Sequence, residues 1–508
     1  MKNKSLTNNL SLNNTNLLFC LLSAFVFITI CSKSSPLYSF NDWVDANCYF
    51  TVGKSIFKGL VPYRDLFEQK GPVIYFIHAL ASLISYRTFF GVYLFEVLIA
   101  FAFLYLVYKT LELFCGKNAF YIIPLVALII YTSPAFCQGD SAEELCLPLL
   151  MYTVYIALKS VIQKNDITNK EFLLTGIFAA CVFWTKFSLC GIYPGWFIPF
   201  AIYTLINKKY DQLLKSILFI GLGLLAGTLP WIIYFGFNHA LKDLFTVYIY
   251  ENIFFYARFE SSHHSILTKV VSRILSLVAG FGKFCHTFPI GLLLLITGGF
   301  YFYFRKWQKE LVYIVSMFLF AFFFIYIGGR RYAYYGLGLA PFVCLGFIPF
   351  FLVFSSDNEK YKLFSRKTCL LYFIFVFIGF FLTDNRYMMK LRAKQSKLPQ
   401  YKFAKIISQT PDATLLNFDC LDMGLYTTTG IVPNCKAFCG LNIHMKGQED
   451  LQQKYIREGL CDYIVTFKNN LNGIDTNNLY VLVDRAETPT DVEGDVNTYF
   501  LYKLKERE

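Results

Sequence analysis

Apolar stretches of roughly 20 residues recur along this chain, and each has the length a helix needs to cross the hydrocarbon of a bilayer. Residues 89–108 (FFGVYLFEVLIAFAFLYLVY) hold a single charge, Glu96, and residues 213–236, 311–328 and 333–354 are of similar character. Of 508 residues, 56% are hydrophobic and 16% charged, whereas a soluble domain carries about 25% charged residues. Disorder is excluded, because it requires low hydrophobicity and high charge. A disulfide-stapled secreted domain is excluded too, since the 15 cysteines fall mostly inside apolar runs of a long chain. The expected fold class is an all-α polytopic membrane domain with a small C-terminal α/β domain.

Spans are predicted at 17–31, 89–108, 119–137, 145–161, 172–189, 191–206, 213–236, 288–304, 311–328, 333–354 and 369–383, about eleven in all. Residues 71–86 (GPVIYFIHALASLISY) are apolar but short, begin with Gly-Pro and end at Arg87. They are expected to lie at the outer interface rather than to cross. That assignment places the short basic turns Lys109/Lys117, Lys159/Lys164/Lys170, Lys208/Lys209/Lys215, Arg305/Lys306/Lys309 and Lys360/Lys362/Arg366/Lys367 in the cytoplasm, as the positive-inside rule requires. The N-terminus, with Lys2 and Lys4, is then cytoplasmic and the C-terminal domain extracytoplasmic. These turns also account for the net charge of +13, from 47 Lys and Arg against 34 Asp and Glu. No basic, aromatic-interleaved stretch follows a nucleic-acid-binding pattern, so the expected partner is the lipid bilayer and not nucleic acid.

Two domains follow: 1–383, a transmembrane domain with outer loops 33–88 and 237–287, and 384–508, an extracytoplasmic α/β domain. The second loop carries an amphipathic or re-entrant stretch near 266–285. In the tail, residues 413–418, 462–467, 479–483 and 498–504 read as strands from their β-branched and aromatic content. Residues 449–459 read as a helix ending at Gly459. Cys420, Cys435, Cys439 and Cys461 share this tail, where an oxidising compartment would allow pairing, and their spacing is not that of a zinc site. Both oxidised and reduced states are open. His263 and His264 have no further ligand at supporting spacing.

The first outer loop concentrates the polar chemistry. Between Asp45 and Lys58 the apolar residues Tyr49, Val52, Ile56 and Phe57 recur at helical spacing, with Lys54 and Lys58 between them. This predicts a helix lying in the membrane interface, capped by Gly59. Pro62-Tyr63-Arg64-Asp65 then turns the chain toward Glu68-Gln69-Lys70-Gly71-Pro72. Carboxylates beside Arg and Lys are either a solvated ion-pair cluster or an acid–base site in which a fixed Asp accepts a proton from a hydroxyl.

The pattern Asp45-x-x-x-Tyr49, Gly59-x-x-Pro62-Tyr63-Arg64-Asp65 and Glu68-x-Lys70-Gly71-Pro72 resembles the first periplasmic loop of GT-C glycosyltransferases. The resemblance is to the bacterial proteins related to lipid A aminoarabinose transferases and to protein O-mannosyltransferases. It implies a GT-C-like fold and transfer of a sugar from a polyprenyl-phosphate carrier to a cell-envelope acceptor outside the cytoplasmic membrane. The loop's first acidic residue is the candidate base in such families, which here is Asp45, with Asp65 the next carboxylate to test. Tyr63, Arg64 and Lys70 match the loop's substrate-binding stretch. Relatives often carry Asp-His-Lys-Pro-Pro where this chain has Glu68-Gln69-Lys70-Gly71-Pro72. Ala46 also stands where some relatives double the acidic residue, which leaves a divalent metal open, and no other cofactor is implied.

Looser matches extend the resemblance. Glu143 and Glu144, after Gly139-Asp140-Ser141-Ala142, correspond to an acidic second outer loop, although carboxylates also favour any helix N-terminus. Lys186, in Trp184-Thr185-Lys186, corresponds to a Thr-Lys pair able to bind the carrier phosphate, although a terminal Lys can simply snorkel. Arg330, Arg331 and Tyr335 correspond to an Arg/His-Tyr segment before a late span, and Arg suits phosphate through its forked donors. Glu96 is an intramembrane carboxylate, functional by default or paired with another helix. Gly221-Leu222-Gly223 lies within a span and is no dinucleotide fingerprint. The competing function is a transporter or flippase of lipid-linked glycans, which would favour Gly/Pro-broken spans with polar residues at midplane. Here the polar residues gather in outer loops, which favours the enzyme.

Overall fold

The computed structural model describes residues 2–256, 266–354, 395–440, 447–488 and 497–505, together with 370 and 374. The predicted span at 369–383 and the pair His263-His264 lie outside the described residues. The chain forms two compact units, one of residues 1–31, 96–230 and 257–385, the other of 32–95, 231–256 and 386–508.

The first unit is helical. In chain order it contains α1 (Lys2–Cys31) and, after α2 and α3 of the other unit, α4 (Phe90–Cys115), α5 (Ile123–Tyr131), α6 (Ala142–Ile162), α7 (Asn169–Lys186), α8 (Ile192–Ile206) and α9 (Tyr210–Phe237). Helices Ile266–Thr287, Pro289–Phe304 and Gln308–Tyr326 follow, then a helical run over Ala333–Leu352. Six of these helices are long and apolar enough to cross a membrane: Phe90–Cys115, Ala142–Ile162, Asn169–Leu189, Tyr210–Phe237, Gln308–Tyr326 and Ala333–Leu352. A pair bent by 105°, Val270–Thr287 with Pro289–Phe304, adds a seventh if counted as one span. The chain is an integral membrane protein. Residues 16–31, 117–131 and 192–206 are shorter apolar helices, so length and apolarity support six or seven crossings among the described residues rather than about eleven. The stretch expected near 266–285 to be amphipathic or re-entrant is the first arm of the bent pair.

Local sequence explains where these helices start and how they meet. Ser141 caps α6 by accepting the Glu144 N–H at 3.0 Å. Thr168 and Glu171 form a capping box at α7, and Glu171 reaches back to Lys159 of α6 at 2.6 Å. Small residues let α7 and α9 touch: a Cβ on Gly223 would lie 2.9 Å from the Gly176 Cα, and one on Gly227 2.6 Å from the Ala180 Cβ. Such contacts drive helix association where lipid supplies no hydrophobic force. Of Gly221-Leu222-Gly223, Gly223 thus belongs to a helix-packing surface, whereas a Cβ on Gly221 would meet nothing within 4 Å.

The second unit holds α2 (Val44–Ile56), α3 (Pro72–Ile84), the π-type helix Leu244–Tyr256 and the tail. Helices α2 and α3 approach closely at Gly53, where a Cβ would lie 2.6 Å from the His78 Cβ and 2.7 Å from the Tyr75 carbonyl oxygen. Gly59, at φ +85°, turns the chain after α2. The tail forms a four-stranded sheet from β1 (Leu415–Asn417), β2 (Tyr463–Thr466), β3 (Tyr480–Glu487) and β4 (Thr498–Leu504) in the order β1-β2-β4-β3. The β1–β2 pair is parallel and the other two are antiparallel. Leu416, Phe418, Ile456, Ile464, Tyr480 and Tyr502 form its core, the helix Gln448–Arg457 contributing Ile456.

The predicted interfacial helix at 45–58 is present as α2, but its surroundings differ from those expected. Residues 46–55 are all buried, Lys54 completely. The helix is enclosed by α3 and by the tail segment Leu425–Thr429, not laid on a surface. Lys54 donates to the Tyr426 carbonyl. Thr51 donates to Asp422 at 2.6 Å and Thr427 to Asn47 at 2.9 Å. Burial pushes the Lys54 ammonium down to about 7, against the Asp422 charge, and holds the Asp422 carboxyl above its usual range.

Candidate active site

Asp45 sits in the first turn of α2, where a carboxylate complements the helix dipole. Tyr49, one turn on, donates its hydroxyl to Asp45 at 3.3 Å, and the Lys70 ammonium stands 3.7 Å from the same oxygen and 5.2 Å from the centre of the Tyr49 ring. The Asp45 side chain is 15% exposed, so it is oriented on one side and open on another.

Lys70 is itself placed by its backbone. Its N–H donates to Glu68 at 2.8 Å and its carbonyl accepts from the Tyr63 hydroxyl at 2.5 Å. Tyr75 hydrogen-bonds Glu68 as well. Tyr63 is fully buried, with φ +69°, a backbone conformation rare for a side chain of its size. It packs against Tyr75 and Phe235, with ring centres 5.9 and 5.5 Å away.

Asp65 and Arg64 do a different job. The guanidinium binds Asp65 twice, at 2.7 and 2.9 Å, and donates to the Asn238 carbonyl at 2.7 Å. Asp65 also accepts the Val61 N–H at 2.8 Å. The hydrogen-bonded Arg64 holds the Asp65 carboxyl below the usual carboxylate range. Both oxygens are engaged in closing the turn, which favours Asp45 over Asp65 as a proton acceptor.

A second polar cluster lies in the helical unit. Lys186, last residue of α7 and 11% exposed, pairs with Glu143 of α6. Its ammonium stands 3.8 Å from the Tyr335 ring centre and 5.3 Å from that of Tyr334, a cation–π arrangement. The other Glu143 oxygen is buried without a hydrogen-bond partner among the described residues. Glu144 is buried beside Glu96 and Asp140, and Glu96 accepts the Asp140 N–H at 2.8 Å. Glu96 is therefore tied to the start of the next outer segment through the Asp140 backbone and lies against the Glu144 side chain. Arg330 is half-buried and Arg331 exposed, on the turn that leads to Tyr334 and Tyr335.

Residues 69–234 match the family model described as dolichyl-phosphate-mannose-protein mannosyltransferase. This segment of the chain is similar to that family. The matched segment includes Lys70, Glu143, Glu144 and Lys186. The fold of the chain is similar to a crystal structure of ArnT from Cupriavidus metallidurans bound to undecaprenyl phosphate. The TM-score is 0.56 at 11% identity, over 97% of this chain and 98% of that one. Comparison with curated proteins gives no match.

Among the described residues, no group of three or more His, Cys, Asp and Glu is arranged to hold a metal ion. The contact of Tyr49 with Asp45 was available from the i,i+4 spacing of the pattern Asp45-x-x-x-Tyr49. Tyr334, beside Tyr335, was not singled out from sequence. Glu251, inside the apolar run LFTVYIYENIFFY, gave no signal, yet burial pushes its carboxyl up to about 7.

Proposed function

We propose that the protein is a glycosyltransferase that moves a sugar from a polyprenyl-phosphate carrier to a hydroxyl of a cell-envelope acceptor on the outer face of the membrane, with Asp45 as general base. The reading is carried by the setting of Asp45, a partly exposed carboxylate fixed by Tyr49 and Lys70 on a buried helix. Asp45 takes the acceptor's proton as the oxygen attacks the anomeric carbon. The carrier phosphate leaves from the opposite face, and configuration inverts. Within the helical unit, Lys186, with Arg330 and Arg331 as further donors, is the group proposed to bind the carrier phosphate. Tyr63, Arg64 and Lys70 shape the loop that presents Asp45, while Glu143 orients Lys186 and Glu144 supports the same turn. The phosphate-bearing lipid in the similar ArnT structure supports this donor class.

The test is to incubate purified protein with polyprenyl-phosphate sugars and to follow acceptor-linked or water-soluble sugar. Absence of transfer across a panel of donors and envelope acceptors would overturn the reading. Lys186→Met should lower kcat/KM for the lipid donor by roughly 10–100-fold, since a charged hydrogen bond contributes about 1.5–3 kcal/mol. Arg330→Ala and Arg331→Ala should also weaken donor use, and an unchanged kcat/KM for all three variants would remove the phosphate site from the proposal.

A further inference from the structure

One turn along α2 from Asp45 lies a feature that transfer chemistry does not use. Cys48 and Cys439 place their sulfurs 3.7 Å apart. The two residues are 4% and 1% exposed, and Cys420 is buried nearby. The surrounding contacts are specific. Asn47, Thr51 and Lys54 of α2 each bond to tail residues. On the tail side, the Cys439 carbonyl accepts from Gln448 at 2.8 Å and the next N–H, of Gly440, donates to the Cys420 carbonyl at 2.6 Å. The backbone carrying Cys439 is therefore fixed beside α2.

We propose that Cys48 and Cys439 are joined by a disulfide in the mature protein, formed on the oxidising side of the membrane and stapling the helix that bears Asp45 to the C-terminal domain. The proposal rests on the outward placement of the first loop and tail. Forming the bond requires the sulfurs to close from 3.7 Å to about 2.05 Å. The oxidant is a thiol–disulfide exchange protein in its disulfide form. One cysteine thiolate attacks that disulfide and expels a thiolate, giving a mixed disulfide. The second cysteine thiolate then attacks the substrate-chain sulfur and expels the catalyst's other thiolate. In net terms two thiols lose two protons and two electrons, and the catalyst disulfide becomes a dithiol. Burial pushes the Cys439 thiol up to about 11, and the contact with Cys439, followed by burial, raises the Cys48 thiol well above its usual value, so exchange belongs to the folding chain and the closed bond is then protected.

The competing state is a pair of reduced thiols sharing a weak S–H···S contact. Full-length protein should be extracted from membranes with alkylating reagent present, denatured, digested without reductant and analysed by mass spectrometry. The expected result is a linked peptide pair containing Cys48 and Cys439, lost on reduction, with Cys420 alkylated. Alkylation of both Cys48 and Cys439, or a link from either to Cys420, would overturn the pairing. A single cysteine at Asp450 in an otherwise cysteine-free protein, labelled by an impermeant maleimide on intact cells, separates the causes. Labelled tail with free native thiols overturns the disulfide alone, and an unlabelled tail overturns the outward placement and the disulfide with it.

Discussion

Asp45→Asn protein, produced at the wild-type level, should transfer sugar about 10²–10⁴-fold more slowly, the usual loss when a general base is removed. The substitution keeps the size of the side chain and an oxygen able to accept from Tyr49 at the observed 3.3 Å. It removes the capacity to take a proton. If Asp45 were only a surface carboxylate, its loss would alter stability by about 0.5 kcal/mol or less and leave turnover intact. The rate with saturating donor and acceptor separates these outcomes. Turnover near wild type would make Asp45 structural. Asp65→Asn should mainly loosen the turn, because Arg64 and the Val61 N–H occupy its oxygens.

Asp422→Ala should destabilise the second unit by about 3–5 kcal/mol, the range for breaking a buried charged arrangement by removing one member. The fully buried carboxylate accepts from Thr51 at 2.6 Å, Gly424 N–H at 2.9 Å and Asn417 at 3.3 Å, and all three lose it together. Faster hydrogen exchange in α2 and in residues 425–429 is the readout; unchanged protection would remove Asp422 from this role. A pH effect accompanies it. Lys54 has a folded pKa of about 7, below its unfolded value of about 10.4. The unfolded chain therefore binds more protons between those values, and stability from this group rises with pH through that window. It is complete above the unfolded pKa and lost as pH falls through about 7. Asp422 is shifted the opposite way, upward from a much lower starting value, so its own contribution acts at lower pH. Unfolding of the second unit should thus become harder from pH 7 to pH 9, and Lys54→Met should flatten that dependence.

Much of the fold was legible because local signals dominate it. β4 occupies the predicted residues 498–504, and the helix expected at 449–459 is found at Gln448–Arg457. Apolar length alone identified the long helices. β3 extends to Glu487 beyond the predicted 483, because pairing with β4 carries Asp484, Arg485 and Glu487 into a ladder that their propensities do not favour. The burial of α2 was not legible. Its Tyr49, Val52, Ile56 and Lys54 give an amphipathic pattern, and nothing local says that Asp422 and Tyr426 will enclose the lysine. Around Asp45 the i,i+4 partner Tyr49 was readable, whereas the approach of Lys70 depends on the Tyr63, Glu68 and Tyr75 hydrogen bonds that fold the intervening turn.

The second unit is stitched from three stretches, 32–95, 231–256 and 386–508, and this imposes an order of events on synthesis. At about 5–20 residues per second, Asp422 leaves the ribosome roughly 20–70 s after Lys54. Throughout that interval the helix carrying the candidate base has neither the carbonyl that receives its lysine nor the carboxylate that receives its threonine. A ribosome that stalls before residue 420 leaves a nascent chain with most of its membrane helices made and that helix unenclosed. Enclosure of that helix therefore waits for about the last fifth of the polypeptide.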